Sequence, residues 1–206
     1  MKRLIPSILF MLAVLISALP AEDDFNSLSD EFVFKPKKEA GLMVAMAETG
    51  SSFGAFISWP FGSLFHAGIG IDAFFLRDAR QVEFIDPIYG GMYTLNKENN
   101  VYLFDAMFSL KRRFFADDMD DSFRPFLTGG FGPTYGVNFP EENDLAVQHR
   151  WTVGGYVGGG VDVSVDAKYF VSVRAQYRII PFSKLLGEKM DHSMFELRFN
   201  VGWRFD

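Results

Sequence analysis

Eight charged side chains recur at alternate positions within apolar segments of the chain, and both signs are represented: Asp72, Asp105, Lys111, Asp162, Arg174, Arg178, Glu196 and Arg198. A charge held away from water is costly unless it is paired. We therefore expect these residues to form one interior network. In it, Arg174 and Arg178 could pair with Glu196 or Asp162 on neighbouring strands. Such a network could be the gate of a narrow pore or an electrostatic plug that fills the interior, and we favour the plug.

Two other residue combinations could support catalysis or metal binding. His192 and Ser193 are the one adjacent pair of a histidine and a hydroxyl side chain, and acyl hydrolysis would need an acidic residue beside them. We interpret this pair as ordinary loop residues and expect no enzyme. His66 is expected to point inward near Asp72. Because His66, His149 and His192 are widely separated, no metal site is expected.

The glycine runs at 154–155 and 158–160 could suggest a nucleotide-binding loop. A dinucleotide site needs such a loop to end a strand and begin a helix, and the context here is strand throughout. We expect these glycines to provide packing space, and no cofactor is predicted. The formal net charge of −6 argues against nucleic acid as a partner, because phosphates select lysine and arginine.

The composition favours β-structure. Of the 206 residues, 24 are phenylalanine and 19 are glycine, which suits strands with close backbone contacts. There are no cysteines, which excludes disulfides, cysteine-ligated zinc and a thiol nucleophile. Stability must therefore come from burial and from the hydrogen-bonded ladder.

Alternation of apolar and polar residues predicts the strands that would position the charges. The last segment is the clearest, because every second residue from Phe195 to Phe205 is apolar and the residues between them are polar or glycine. Period 2 places the two sets on opposite faces of a strand. The same pattern predicts eight strands, at 39–48, 52–59, 65–75, 102–111, 123–135, 151–165, 169–179 and 195–205.

Three features indicate that the polar face of these strands lies inside. Glycines sit mostly on that face, where the interior of a narrow barrel is crowded. Aromatic residues cluster toward the ends of the apolar face, as in the girdles at bilayer interfaces. The polar-face charges have both signs and could pair. The sequence therefore predicts an all-β, antiparallel up-and-down transmembrane β-barrel of about eight strands. A soluble barrel with an apolar interior is the alternative.

The predicted connections are long and short in near alternation, with long ones at 78–100, 138–150 and 181–192. Long extracellular loops and short periplasmic turns are typical of outer-membrane barrels. The 78–100 loop is unusually apolar, and an apolar loop is not expected to lie free in water. It could bind an extracellular ligand, cover the barrel mouth or lie against lipid.

The N-terminal segment has the pattern of a secretion signal. Lys2 and Arg3 precede an apolar stretch that ends near Ala21, which predicts a signal peptide at 1–21. A transmembrane anchor is the alternative, although the apolar run is short for one. The polar residues 22–38 are predicted to form a flexible periplasmic lead-in, followed by the barrel domain at 39–206.

The C-terminal strand 194–206 resembles the terminal insertion signal of outer-membrane proteins, here with Asp206 after the closing aromatic. The residues that carry it are Phe199, Val201, Trp203 and Phe205. Together with the stretches 123–132, 158–163 and 173–178, it makes residues 39–206 similar to the small eight-stranded barrels of the OmpA/OmpX/OmpW-like group. This resemblance implies localisation in the bacterial outer membrane, with membrane lipid and the barrel-assembly machinery as partners.

The resemblance is specific for architecture and weak for function, because one fold hosts many activities. We expect a structural or surface-binding barrel with a mostly filled, charge-paired lumen. A narrow channel for small apolar solutes is the alternative. A lipid-modifying enzyme is less favoured, because the chain lacks the spaced His-x-Ser motif of the lipid A deacylases on this fold.

Overall fold

A computed structural model describes residues 37–62, 64–77, 82–85, 92–95, 99–114, 123–141, 145–166 and 168–206, with the backbone alone for 82–85 and 92–95. The predicted signal peptide, 1–21, and residues 22–36 of the predicted lead-in lie outside these ranges. The described residues form twelve strands in chain order: β1 (Lys38–Ala47), β2 (Gly50–Phe61), β3 (Phe65–Leu76), β4 (Val82–Ile85), β5 (Met92–Leu95), β6 (Asn99–Arg113), β7 (Phe123–Pro140), β8 (Gln148–Ser164), β9 (Tyr169–Ile179), β10 (Pro181–Leu186), β11 (Lys189–Asp191) and β12 (Met194–Phe205). In this part of the chain, no helix is long and apolar enough to cross a membrane.

Eight of these strands close into one barrel, in the order β1, β12, β9, β8, β7, β6, β3, β2 and back to β1. Every neighbouring pair is antiparallel. Because β1 pairs with both β2 and β12, the sheet has no free edge, and its backbone groups are satisfied without water. The predicted eight-stranded up-and-down barrel is confirmed. The other four strands form two small hairpins, β4–β5 and β10–β11.

The outer face of the barrel is apolar and its interior is polar. Along β12, Leu197 and Val201 are exposed, whereas Glu196 and Arg198 are buried. In β1, Leu42 on the outer face is 66% exposed. A soluble barrel would bury such side chains in its interior, whereas a transmembrane barrel presents them to lipid. The predicted arrangement of faces is confirmed, and the soluble alternative is wrong.

Aromatic side chains surround both ends of the apolar band. We call the end where Ala47 and Gly50 are joined the loop end, and the end where Lys38 and Phe205 lie the terminal end. At the loop end four rings form a continuous chain across β2, β3, β6 and β7, with successive centroids 5.6, 5.7 and 5.9 Å apart: Phe53, Phe75, Tyr102 and Phe139. Exposed aromatics near the terminal end include Trp59, Phe61, Phe123, Tyr169 and Trp203. Two such girdles suit the two bilayer interfaces.

The hairpin β10–β11, which we call the mouth hairpin, packs into the loop end of the barrel. Phe182 and Leu186 are buried there in one apolar cluster with Ile180, which precedes the hairpin, and with four side chains of the barrel wall: Phe74, Val101, Leu103 and Met194. A methyl group on Gly136 would lie 2.3 Å from Leu186 Cδ2, so glycine in β7 leaves the space that this hairpin fills. The connection predicted at 181–192 is therefore long, as expected, and it contains a hairpin that the sequence analysis did not predict.

The strands β7 and β8 extend beyond their predicted limits. Their pairing continues through Val137 and His149 to Asn138 and Gln148, so the connection predicted at 138–150 occupies only 141–147. On β7 the alternation continues through Val137 and Phe139, so the predicted strand ended too early. On β8 the polar His149 interrupts the apolar set that begins at Trp151, so alternation did not reveal that end.

Candidate functional site

Charged side chains fill the barrel interior in two layers, one toward each end. On the ladder between β1 and β12, Glu196 lies opposite Ala47 at the loop end, and Glu39 lies opposite Arg204 at the terminal end. We call the first set the loop-side layer: Asp72, Asp105, Arg178, Glu196 and Arg198. The second set is the terminal-side layer: Glu39, Lys111, Arg113, Asp162 and Arg204.

In the loop-side layer, two arginines hold three carboxylates. Arg178 donates from Nε to Glu196 Oε1 at 2.9 Å and also donates to Asp105. Arg198 donates from Nη1 to Asp72 Oδ1 at 2.7 Å and from Nη2 to Glu196 Oε2 at 3.2 Å. No side chain in this layer is more than 3% exposed. Glu196 bridges the two arginines, so its carboxylate connects the layer.

Phe74 of β3 lies between the loop-side layer and the mouth hairpin. The Arg178 guanidinium lies over the ring of Phe74, 4.7 Å from its centroid, and Phe74 belongs to the apolar cluster that includes Phe182 and Leu186. The charges are therefore closed from the loop end by packed hydrocarbon.

In the terminal-side layer, Lys111 and Arg113 both bind the same two carboxylates. Lys111 Nζ lies 3.0 Å from Glu39 Oε2 and 3.0 Å from Asp162 Oδ2. Arg113 Nη2 lies 2.5 Å from Glu39 Oε1 and 2.7 Å from Asp162 Oδ2. Arg204 adds a longer contact to Glu39, at 3.4 Å. Lys111 remains 16% exposed and Arg204 9%, so this layer is less completely shielded.

The structure divides the eight predicted network residues. Five lie in the loop-side layer, and two, Lys111 and Asp162, lie in the terminal-side layer. Arg174 differs from the expectation, because within the described ranges it forms no ion pair and its guanidinium lies 5.0 Å from the centroid of the Tyr156 ring. The register explains this, since its ladder partners are Gly160 and Arg198, and neither carries a carboxylate.

Three members of the terminal-side layer were not predicted: Glu39, Arg113 and Arg204. Each lies at or beside the end of a predicted strand. The signal was present, because Arg113 follows Lys111 by two residues and Arg204 continues the polar face of β12. His66 is buried and points inward, as predicted, but its Nε2 lies 3.3 Å from Arg113 Nη1 rather than beside Asp72.

The residues considered for hydrolysis lie where β11 meets β12 and do not form a catalytic arrangement. Ser193 Oγ donates to Asp191 Oδ1 at 2.5 Å, so the carboxylate contacts the hydroxyl directly. His192 Nε2 donates instead to the Leu186 carbonyl oxygen at 3.1 Å, and its ring packs edge-on against Phe182. Burial lowers the pKa of His192. Among the described residues, no three His, Asp or Glu side chains are grouped so as to hold a metal ion.

The four residues of the predicted assembly signal lie on the outer face of β12. Phe199, Val201 and Trp203 are exposed there, and Phe205 lies at the terminal end. Because β12 closes the barrel against β1, these side chains lie at the closing seam. Their recognition by an assembly machinery remains a prediction.

No model of a known protein family matches the chain. No curated protein matches it significantly. Solved structures do match: that of neisserial surface protein A (NspA) has a TM-score of 0.57 at 15% identity and covers 82% of this chain and 96% of that chain. The N-terminal β-barrel domain of Pseudomonas aeruginosa OprF has a TM-score of 0.53 at 11% identity and covers 82% of this chain and 97% of that one. At these identities the likeness shows the fold alone, and the resemblance in fold to the small eight-stranded barrels is confirmed.

Proposed function

We propose that this chain is an integral protein of the bacterial outer membrane with a structural or surface-binding role, and that it is not an enzyme. An apolar outer face between two aromatic girdles supports insertion into lipid. A barrel of this kind needs no helix to cross the bilayer, and closed transmembrane barrels of about eight strands are typical of bacterial outer membranes.

The proposal of a filled lumen is supported by packed or ion-paired side chains at three successive levels of the interior. The mouth hairpin packs Phe182 and Leu186 into the loop end. Below it lies the loop-side layer, and below that the terminal-side layer. A solute would have to separate paired charges twice, and each separation leaves buried charge uncompensated.

A narrow channel for small apolar solutes has less support. Such a channel would need a continuous apolar path or a lateral opening. Two layers of ion pairs interrupt any apolar path along the described interior, and the ladder is continuous around the barrel. A lipid-modifying enzyme also has little support, since His192 is not hydrogen-bonded to Ser193.

The surface-binding role is assigned to the loop end. Four large apolar side chains are exposed there, on the β7–β8 connection and the mouth hairpin: Leu145, Val147, Leu185 and Met190. The segment 78–100 adds the β4–β5 hairpin and further apolar residues. Exposed apolar surface beyond the bilayer favours contact with an extracellular ligand.

The test of this proposal is cell fractionation combined with heat modifiability on a semi-native gel. We expect the protein in the outer-membrane fraction, with a band that shifts on boiling because the closed ladder resists detergent until heated. A soluble periplasmic protein with no shift would overturn the proposal.

A further inference from the structure

A cavity of about 60 Å³ lies between the two charged layers. Its wall includes Lys111 and Asp162 from the terminal-side layer and Asp72 from the loop-side layer. One water molecule needs roughly 10–15 Å³ of such volume, so the cavity has room for about four. The described part of the lumen therefore contains a polar chamber.

The carboxylates that line this chamber are already neutralised. Asp162 contacts Lys111 at 3.0 Å and Arg113 at 2.7 Å. Asp72 contacts both arginines of the loop-side layer, at 2.7 and 3.5 Å. Arg174 also lines the chamber, and it is the lining cation that has no carboxylate partner among the described residues. The charge left uncompensated in the chamber is thus positive.

Two neutral hydrogen-bonding side chains lie near Arg174, one on β9 and one on the neighbouring strand β12. Ser172 precedes Arg174 by two residues on the inner face of β9, and Asn200 is the ladder partner of Ser172 on β12. Both side chains line the chamber. Within the described structure, Arg174 Nε and Ser172 Oγ are buried without a hydrogen-bond partner. A guanidinium, a hydroxyl and the NH₂ of an amide are therefore hydrogen-bond donors in the wall of one chamber.

We propose that this chamber binds a small monovalent inorganic anion of halide size, held by the Arg174 guanidinium with Ser172 and Asn200 beside it. The anion supplies the negative counter-charge that no described carboxylate provides to Arg174. It also accepts hydrogen bonds from Arg174 Nε and Ser172 Oγ, which otherwise have no partner among the described residues. Water fills the remaining volume. This inference goes beyond the proposed function and rests on the barrel interior alone, so it can fail while the outer-membrane role stands.

The test uses the full chain, folded in non-ionic detergent, with chloride as the probe. We expect saturable broadening of the chloride-35 NMR line that bromide competes away. Arg174→Gln should reduce the broadening at least about five-fold, since the charge is lost while hydrogen-bonding capacity is kept. The matched control is Arg112→Gln, because Arg112 stacks on the ring of Phe65 near the terminal end, does not line the chamber and should leave the signal unchanged.

Equal broadening in the wild type and in the Arg174 variant, or no saturation, would overturn the proposal. Diffraction from wild-type crystals grown in bromide gives a second measurement that does not depend on a variant folding. An anomalous peak within hydrogen-bonding distance of Arg174 supports the site, whereas a chamber that holds water alone refutes it.

Discussion

The two charged layers use the same ion-pair chemistry but differ in their access to water. Loop-side residues are at most 3% exposed and lie beneath the apolar cluster of the mouth hairpin. In the terminal-side layer, Lys111 and Arg204 keep 16% and 9% of their side chains exposed. A charge that water can reach is rehydrated when its partner is lost, whereas a dry charge is not. The loop-side layer should therefore be the more sensitive of the two.

The largest effect is expected from Glu196→Ala, which removes the carboxylate that bridges Arg178 and Arg198. Two buried guanidinium groups then lose a partner, so the free energy of unfolding should fall by about 3–5 kcal/mol. Urea titration of the protein refolded in lipid vesicles measures this. The exposed Glu48→Ala is the control and should change it by less than about 0.5 kcal/mol. If both stability and ion leakage equal those of the control, the inward role of Glu196 is wrong.

The next effect concerns the apolar cover of the loop-side layer. Phe182→Ala should destabilise the mouth hairpin by about 3 kcal/mol, because a large buried ring is removed. Limited trypsin cleavage at Lys189, within the hairpin, should become faster while the barrel band persists on the gel. Leu185→Ala changes an exposed neighbour on the same strand and should leave cleavage unchanged. Equal cleavage rates in the two variants would show that the hairpin is not held by its core.

A smaller effect is expected in the terminal-side layer. Lys111→Met removes one cation, but Glu39 and Asp162 both keep Arg113. The free energy of unfolding should fall by about 1–2 kcal/mol, between the values typical of exposed and buried pairs. The same urea titration compares it with Glu196→Ala. A loss as large as that of Glu196→Ala would remove the distinction between the layers.

The smallest effect should come from pH at the mouth hairpin. Burial lowers the pKa of His192 in the folded protein, so the neutral ring is the form that the fold favours. Its contribution is complete above pH ~6.5, the ordinary pKa of histidine, and is lost as pH falls from there through the lowered pKa. Trypsin cleavage at Lys189 should therefore accelerate modestly on acidification. His192→Gln should abolish this dependence, and an unchanged pH profile in that variant would assign it to another group.

Much of the fold could be predicted from sequence because lipid imposes alternation on every spanning strand. The inward position of Glu196 and Arg198 followed from that period together with the glycines, the aromatic residues and the mixed charges that identified the inner face. Pairing partners did not, because they depend on register between strands: Arg174 is opposite Gly160 and Arg198, and no period along one strand reveals this.

Other features could not be predicted from the alternation of apolar and polar residues. The mouth hairpin has only Phe182 and Leu186 as buried residues within its strands, too few for a recognisable pattern. Glu39 and Arg113 lie at strand ends, where too few residues remain on one side to define an alternating pattern. The sequence therefore predicted the wall of the barrel and the polar character of its interior. The hairpin that packs into the loop end became visible only in the three-dimensional structure.

The proposed closure of the barrel interior can be measured as the absence of an ion pathway through the lumen. The most direct measurement is the conductance of the refolded wild-type protein in a planar lipid bilayer, recorded beside Glu196→Ala. We expect the wild type to show no steady ion current, because two paired layers and the mouth hairpin block the lumen, and the variant to show increased leakage. A steady open state of the wild-type protein would contradict the filled lumen and establish the barrel as a pore.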